Sequence, residues 1–289
     1  MKNFVVKASQ CVLIVIAIII LMTMGLYSLN FGRVNAPRTA IRYEHSVRHF
    51  YSGQNRLTGY IFGEENDQGV IVISHGLGGG GLSYMMEISY FTNQGWRVFT
   101  FDKTGSHASE GRGTRGLPQS AIDLDAALTY IANQNWDMPV MLYGHSWGGF
   151  AVTAVLNMDH DISAVVSIAG FAEPLPMLQE GARLMVGPAA VLFTPFLWTY
   201  QRLLFGRYAD LSAIEGINSG EVPVKIIHGR DDNVVSYDGA GIIAHRGQIV
   251  NPNVIFVSRY YPKRSGHVDL MREPGFLAEV NEFFVGYFR

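Results

Sequence analysis

The sequence has one cysteine, Cys11, so neither an internal disulfide framework nor a cysteine-based zinc site can form. Charge is also scarce. Asp, Glu, Lys and Arg make up 16% of the 289 residues, against about 25% in an ordinary soluble domain. This excludes an intrinsically disordered chain, which combines high charge with little apolar material. Neither sign dominates: a net charge of −2 offers no electrostatic reason to bind nucleic acid. Repeats and low-complexity tracts are missing. The glycine run at residues 76–81 is not followed by the Gly-Lys-Ser/Thr of a phosphate-binding loop.

What is present begins with an apolar N-terminus. Residues 8–32 carry no charge, and within 11–29 only Thr23, Gly25 and Ser28 interrupt the apolar run. As a helix, residues 11–29 would be roughly 28 Å long, close to the ~30 Å hydrocarbon thickness of a bilayer. The run exceeds the 7–15 residues usual in a cleaved signal peptide. The small-residue site Val34-Asn35-Ala36 is followed by Pro37, a poor context for cleavage. Residues 1–31 therefore read as an uncleaved signal anchor, with 32–42 a polar tether. Lys2 and Lys7 favour a cytoplasmic N-terminus and a body outside the cytoplasmic membrane. Arg33, Arg38, Arg42 and Arg48, beyond the run, work against that bias.

The body, residues 43–289, alternates strand-like and helix-like segments. Strands are expected at 70–73, 97–101, 140–143, 164–168, 224–227 and 254–257; residues 70–73 are a short continuous apolar run, as expected of a strand buried on both faces. Helices are expected at 82–94, at 121–133 with Ser120 as N-cap, from 147, at 240–245 and at 274–287. Residues 45–51 and 57–62 read as an antiparallel hairpin leading into the sheet. This alternation implies an α/β fold, a mostly parallel sheet with helices on both faces. Ligands of such sheets bind at the carboxyl ends of the strands.

Three strand ends carry reactive side chains. Gly144-His145-Ser146-Trp147-Gly148 is a G-x-S-x-G on a strand–turn–helix boundary, where the serine hydroxyl projects near a helix N-terminus. The loop His75-Gly76-Leu77-Gly78-Gly79 lies where an oxyanion hole belongs if Ser146 is a nucleophile. The Leu77 and Trp147 N–H groups are then the expected donors, and His75 orients the loop. After residues 224–227 comes His228-Gly229-Arg230-Asp231-Asp232, with two neighbouring acids able to orient a histidine. Past the last strand lies Ser265-Gly266-His267.

Ser, Asp and His in that order, each at a strand end, resemble the α/β-hydrolase fold over nearly all of residues 43–289. Within it, the chain is similar to the group of serine aminopeptidases and monoacylglycerol lipases. The resemblance makes Ser146 the nucleophile and His267 the base, and the pattern H-G-x-x-D-x-x-V aligns the acid with Asp232 rather than Asp231. The segment from Asp102 to Gly111 resembles the family's D-x-x-G-x-x-x-S-x-G loop, which implies loop-building roles for Asp102 and Ser109. No metal and no organic cofactor is implied.

Cap domains are inserted in this family where residues 171–218 fall. Within them, 184–201 contains no charge and clusters Phe193, Phe196, Leu197, Trp198 and Tyr200. Three readings stand: a cap packed on the core, a lid contacting lipid, and a second membrane span. Gly187, Pro188 and Pro195 break such a helix, and one span here would put Ser146 across the membrane from Asp232 and His267. Phe193, Phe196 and Trp198 are the candidate substrate contacts. The expectation is a membrane-anchored serine hydrolase of carboxylic esters, taking a small-molecule or lipid ester. A peptidase, or a non-catalytic binding protein on the same scaffold, are the alternatives. The sequence assigns no oligomeric state.

Overall fold

A computed structural model of the chain describes residues 2–35, 43–260 and 266–287. Residues 36–42 of the expected tether, with Ala36 and Pro37 of the weighed cleavage site, lie outside the described residues, as does Ser265.

The first element, α1 (Lys2–Asn30), is followed by the hairpin β1 (Ser46–Ser52) and β2 (Asn55–Phe62), then β3 (Val70–Ser74), α2 (Met85–Asn93), β4 (Arg97–Asp102), α3 (Gln119–Ala132), β5 (Val140–His145), α4 (Trp147–Ala154) and β6 (Ala164–Ile168). An inserted stretch contains α5 (Pro174–Val186), α6 (Thr194–Phe205) and α7 (Ala213–Asn218). The chain ends with β7 (Val224–Gly229), β8 (Val254–Arg259) and α8 (Phe276–Gly286).

The eight strands form one sheet in the order β1-β2-β4-β3-β5-β6-β7-β8. The pairs β1–β2 and β2–β4 are antiparallel, and every pair from β4–β3 to β7–β8 is parallel. Every residue of β3 is buried. Val70 and Val72 join the core under α3, α4 and α7, while Ile71 and Ile73 join the core under α2 and α8. Period-2 alternation between two apolar layers explains why the strand reads as one continuous apolar run. The chain runs from β3 to β4 on one side and later returns to β5 on the other. The crevice beyond the carboxyl ends of β3 and β5 is therefore the topological switch point, where such sheets bind ligands.

Three helical expectations differ in detail. Ser120 does not cap α3. It lies inside the helix, which starts at Gln119 after Pro118 with φ −61°, an angle already suited to a helix start. Residues 240–245 do not form an α-helix. Ala240 and Ile242 donate their N–H groups to Glu180 and to the Gly170 carbonyl, so the backbone there closes only a 3₁₀ turn, Ile242–Gln248. The helix expected from 274 begins at Phe276.

The insertion divides by packing. Ala213, Ile214 and Ile217 of α7 are buried in the core beside α4. The helices α5 and α6 are separated by a 3₁₀ segment, Gly187–Phe193, and φ at Gly187 is +63°. With 13 and 12 residues, each helix alone is shorter than the ~20 residues of a membrane span, although the joined stretch Pro174–Asn218 is long and apolar enough to cross one. Glu180 on α5 fastens the cap to the body by accepting from the N–H groups of Ser236 and Ala240.

Candidate active site

Ser146 is half-buried between β5 and α4, with φ 57° and ψ −116°. Such a conformation is costly for a residue with a side chain and survives only where its surroundings enforce it. Here a Cβ on Gly144 would collide with the Gly148 carbonyl, and one on Gly148 with the Ser74 carbonyl. The sharp turn and the close strand–helix packing thus both require the motif glycines. The Ser146 N–H is taken by the Ile168 carbonyl at 2.8 Å. The hydroxyl is left at the N-terminus of α4, where developing negative charge is favoured.

Beside it runs the loop after β3. A Cβ on Gly76 would lie 3.4 Å from the Ser146 Cβ. The Gly76 N–H donates to the Tyr84 hydroxyl at 3.0 Å, while neither Leu77 nor Trp147 donates its N–H to an acceptor among the described residues. Under this loop the fully buried Lys103 donates from Nζ to the His75 carbonyl and to Ser120 Oγ. Ser120 Oγ in turn donates to the Trp147 carbonyl at 3.0 Å, and Nζ sits 4.6 Å from the Trp147 ring centre. Burial drives the Lys103 pKa well below its ordinary value, against the pull of Asp123. His75 is buried and held neutral by desolvation, reinforced by Lys103. It accepts the Lys103 N–H at Nε2 and faces its neighbour's carbonyl, Gly76 O, at Nδ1.

The acid and the histidine meet at the ends of β7 and β8. His267 Nδ1 lies 2.8 Å from Asp232 Oδ2, and both residues are buried. The other oxygen of Asp232 accepts from the N–H groups of Val234 and Val235, each at 2.9 Å. His228 Nε2 is 3.3 Å from Oδ2 and 2.9 Å from the Val235 carbonyl. With acceptors on both sides, that nitrogen carries the proton. Burial by itself would raise the Asp232 pKa; hydrogen bonds from His228 and His267 outweigh it and hold the carboxyl well below its usual range. Of the two neighbouring acids, the geometry brings Asp232 to the histidine.

Sequence reasoning missed His145 and Tyr84. His145 Nδ1 is 2.9 Å from the Tyr84 hydroxyl, and Nε2 is 2.9 Å from the His267 carbonyl. Burial, with His267 as the next influence, pushes the His145 pKa down to about 3. Asp102 and Ser109 hold the rim. Asp102 accepts from the N–H groups of Gly81 and Ala108 and from the Tyr60 hydroxyl, and Ser109 bridges the Asp102 carbonyl and the Thr58 N–H.

Of the cap candidates, Phe193 borders an apolar cavity that also touches Leu77. Phe196 and Trp198 are not part of its lining; Trp198 is exposed, with the Arg202 guanidinium over its ring. Among the described residues no group of three His, Cys, Asp or Glu side chains is arranged to hold a metal ion.

Comparison with known proteins agrees with this fold. The profile of the serine aminopeptidase S33 family matches residues 65–207. A lysophosphatidylserine lipase, ABHD12 of Danio rerio, is 26% identical over 172 residues, which span 58% of this chain but only 44% of that relative. The Pyrococcus furiosus esterase Pf2001 superposes with a TM-score of 0.69 at 21% identity, over 90% of this chain and all of the esterase. An acylaminoacyl peptidase of Pyrococcus horikoshii gives a TM-score of 0.62 at 16% identity, over 86% of this chain and 42% of the peptidase.

Proposed function

For this chain, which has the α/β-hydrolase fold, we propose the function of a membrane-anchored serine hydrolase that cleaves carboxylic esters through an acyl-enzyme. The observation that carries the proposal is the buried Asp232–His267 pair, seated against the residue that precedes a strained, helix-capping Ser146. His267 takes the serine proton as Ser146 attacks the ester carbonyl. Asp232 fixes the imidazole tautomer and stabilises the imidazolium that forms. The Leu77 and Trp147 N–H groups receive the oxyanion. His267 then protonates the departing alcohol, and water admitted at the same position releases the acid.

An ester with an acyl chain is favoured over a peptide because the cavity beside Leu77 is walled by apolar side chains, with no charged group to receive a free amino terminus. The lipase relative supports the same choice. The name of the matching profile favours the second reading, an aminopeptidase. Residues 9–30 are long and apolar enough to cross a membrane, and side chains such as Leu13, Ile14 and Leu21 are exposed. These support the anchor, with the body on the extracytoplasmic side as Lys2 and Lys7 favour.

A fluorophosphonate probe tests the proposal. It labels the folded protein and not Ser146→Ala, and p-nitrophenyl esters are turned over faster than aminoacyl-naphthylamides. Equal labelling of Ser146→Ala removes the enzyme reading and leaves a binding protein; faster amide turnover makes it a peptidase.

A further inference from the structure

The last turns of α1 do more than leave the membrane. Tyr27 and Phe31 are buried in the main core, with Tyr27 edge-on to Tyr200 of the cap, ring centres 5.1 Å apart. A Cβ on Gly116 would collide with the Tyr27 hydroxyl, so the rim loop is shaped around that ring. Residues 32–35, read from sequence as the start of a polar tether, are stitched to the same loop. Gly32 bridges Gly113 and Val34 bridges Ser106. The Arg33 guanidinium donates to the carbonyls of His107, Ser109 and Gly111. The helix is therefore built into the catalytic domain.

Between it and the cap lies a cavity of about 380 Å³, bounded by Leu26 and Tyr27 on α1, Phe31 just after it, Leu178 and Phe193 in the cap, and Leu77. That volume is in the range of small-molecule sites, roughly 300–1,000 Å³. A cavity of about 470 Å³ elsewhere borders Val70 and Val140, at the starts of β3 and β5, the opposite pole from Ser146. Of these two cavities, the first touches the loop that faces the nucleophile.

Helix length sets the depth of the cap. From Ser9 to Met22 the helix rises only about 21 Å, short of a ~30 Å hydrocarbon layer. The missing length is supplied by residues that already pack on the cap. The α5 end must then sit at the bilayer boundary, where Leu184, Met185, Val191 and Leu192 are exposed apolar side chains.

We propose that the C-terminal turns of α1 form one wall of the acyl-chain site, so that a long-chain ester passes sideways from the bilayer along the anchor helix, its chain between α1 and α5 and its carbonyl beside Leu77. This rests on the ester-hydrolase reading and adds that the site is incomplete without the anchor.

Filling the cavity from either wall tests it in the full-length protein in mixed micelles. Gly181 on α5 lines the cavity, and a Cβ there meets nothing within 4 Å, so Gly181→Trp projects into open space and favours the helix. Leu26→Trp fills the cavity from α1, and Leu29→Trp, at an exposed position outside the lining, is the control. For both filling variants, kcat/KM for p-nitrophenyl laurate and palmitate falls by about tenfold relative to the acetate, while Leu29→Trp keeps the wild-type chain-length profile. Fluorophosphonate labelling of Ser146 certifies that a variant is folded. An unchanged profile in a labelled Leu26→Trp protein overturns the inference. Absence of acetate hydrolysis and of labelling in the wild type would instead defeat the ester-hydrolase reading itself.

Discussion

The Nε2 atom of His145 lies 2.9 Å from the backbone carbonyl of His267. A carbonyl only accepts, so Nε2 carries the proton and Nδ1 must accept from Tyr84. The Tyr84 hydroxyl, spending its proton there, accepts the Gly76 N–H. A single chain of hydrogen bonds thus runs from the loop after β3 through the residue before Ser146 to the backbone of His267. Three segments distant in sequence are held in register by one neutral imidazole.

If this chain positions the site, removing either of its middle members should damage the same quantity. We expect His145→Phe and Tyr84→Phe each to lower kcat by about ten- to a hundredfold with little change in KM. The double variant should be far from additive, because residues in one network share their loss. Steady-state kinetics on a short-chain ester check this. Additive losses, or losses confined to KM, would show two independent packing defects.

The proposed acid, Asp232, is tested with the same kind of comparison. Asp232 accepts from four donors, the N–H groups of Val234 and Val235 and the rings of His267 and His228. Asp232→Asn should reduce kcat by several orders of magnitude, roughly 10⁴ as for an analogous change in a serine protease. Asp231→Asn should keep most of the activity. Reversal of these two results would move the acid by one residue.

Acid should unfold this protein through His145. Its folded pKa of about 3 lies below the ordinary 6.5 or so of an unfolded histidine. The unfolded chain therefore binds the extra proton between those values. Stability from this group is complete above pH ~6.5 and falls as pH drops toward 3, by up to about 1.4 kcal/mol per pH unit. His75, also depressed, acts in the same direction, and so does Asp232 below pH ~4. Asp123 and Glu87, whose pKa values burial raises, act in the opposite direction. Urea unfolding of the wild type and of His145→Phe at pH 7.5, 6 and 5 separates them: the gap in stability between the two should narrow as pH falls. A constant gap would mean that His145 is not buried neutral.

The strands were legible in the sequence because burial on both faces leaves a run such as residues 70–73 uniformly apolar, with glycine-rich loops at the ends. The candidate nucleophile was legible because Gly144 and Gly148 have a steric reason to flank it. The linking residues were not. His145 fills the variable position of its motif, Tyr84 sits in an aromatic-rich helix start, and Lys103 reads as a surface charge. What gives them a role is a partner 17 to 122 residues away, and no local pattern encodes that. The end of α1 was hidden for a different reason: Tyr27 and Phe31 suit a membrane boundary and a protein core equally well.

Lys103 shows what such a hidden residue is expected to do. It is fully buried, its charge disfavoured by desolvation, yet its amine holds together the His75 carbonyl, Ser120 and the face of Trp147. Those groups belong to the loop after β3, to α3 and to the first turn of α4. Lys103→Met keeps the length and apolar stem while removing the donor. Losing a buried, poorly charged amine costs little where a similar volume replaces it, so we expect a stability change within about 2 kcal/mol. The His75 carbonyl, no longer tied to Ser120, frees the Leu77 N–H to drift from the oxyanion position, and misplacing one such donor costs about 10²–10³ in kcat. We therefore expect kcat to fall toward that range with KM changing less than severalfold, while Lys103→Arg, too bulky for the site, unfolds more easily. A Lys103→Met protein with wild-type kcat would show that Leu77 is held by Gly76 and Tyr84 alone.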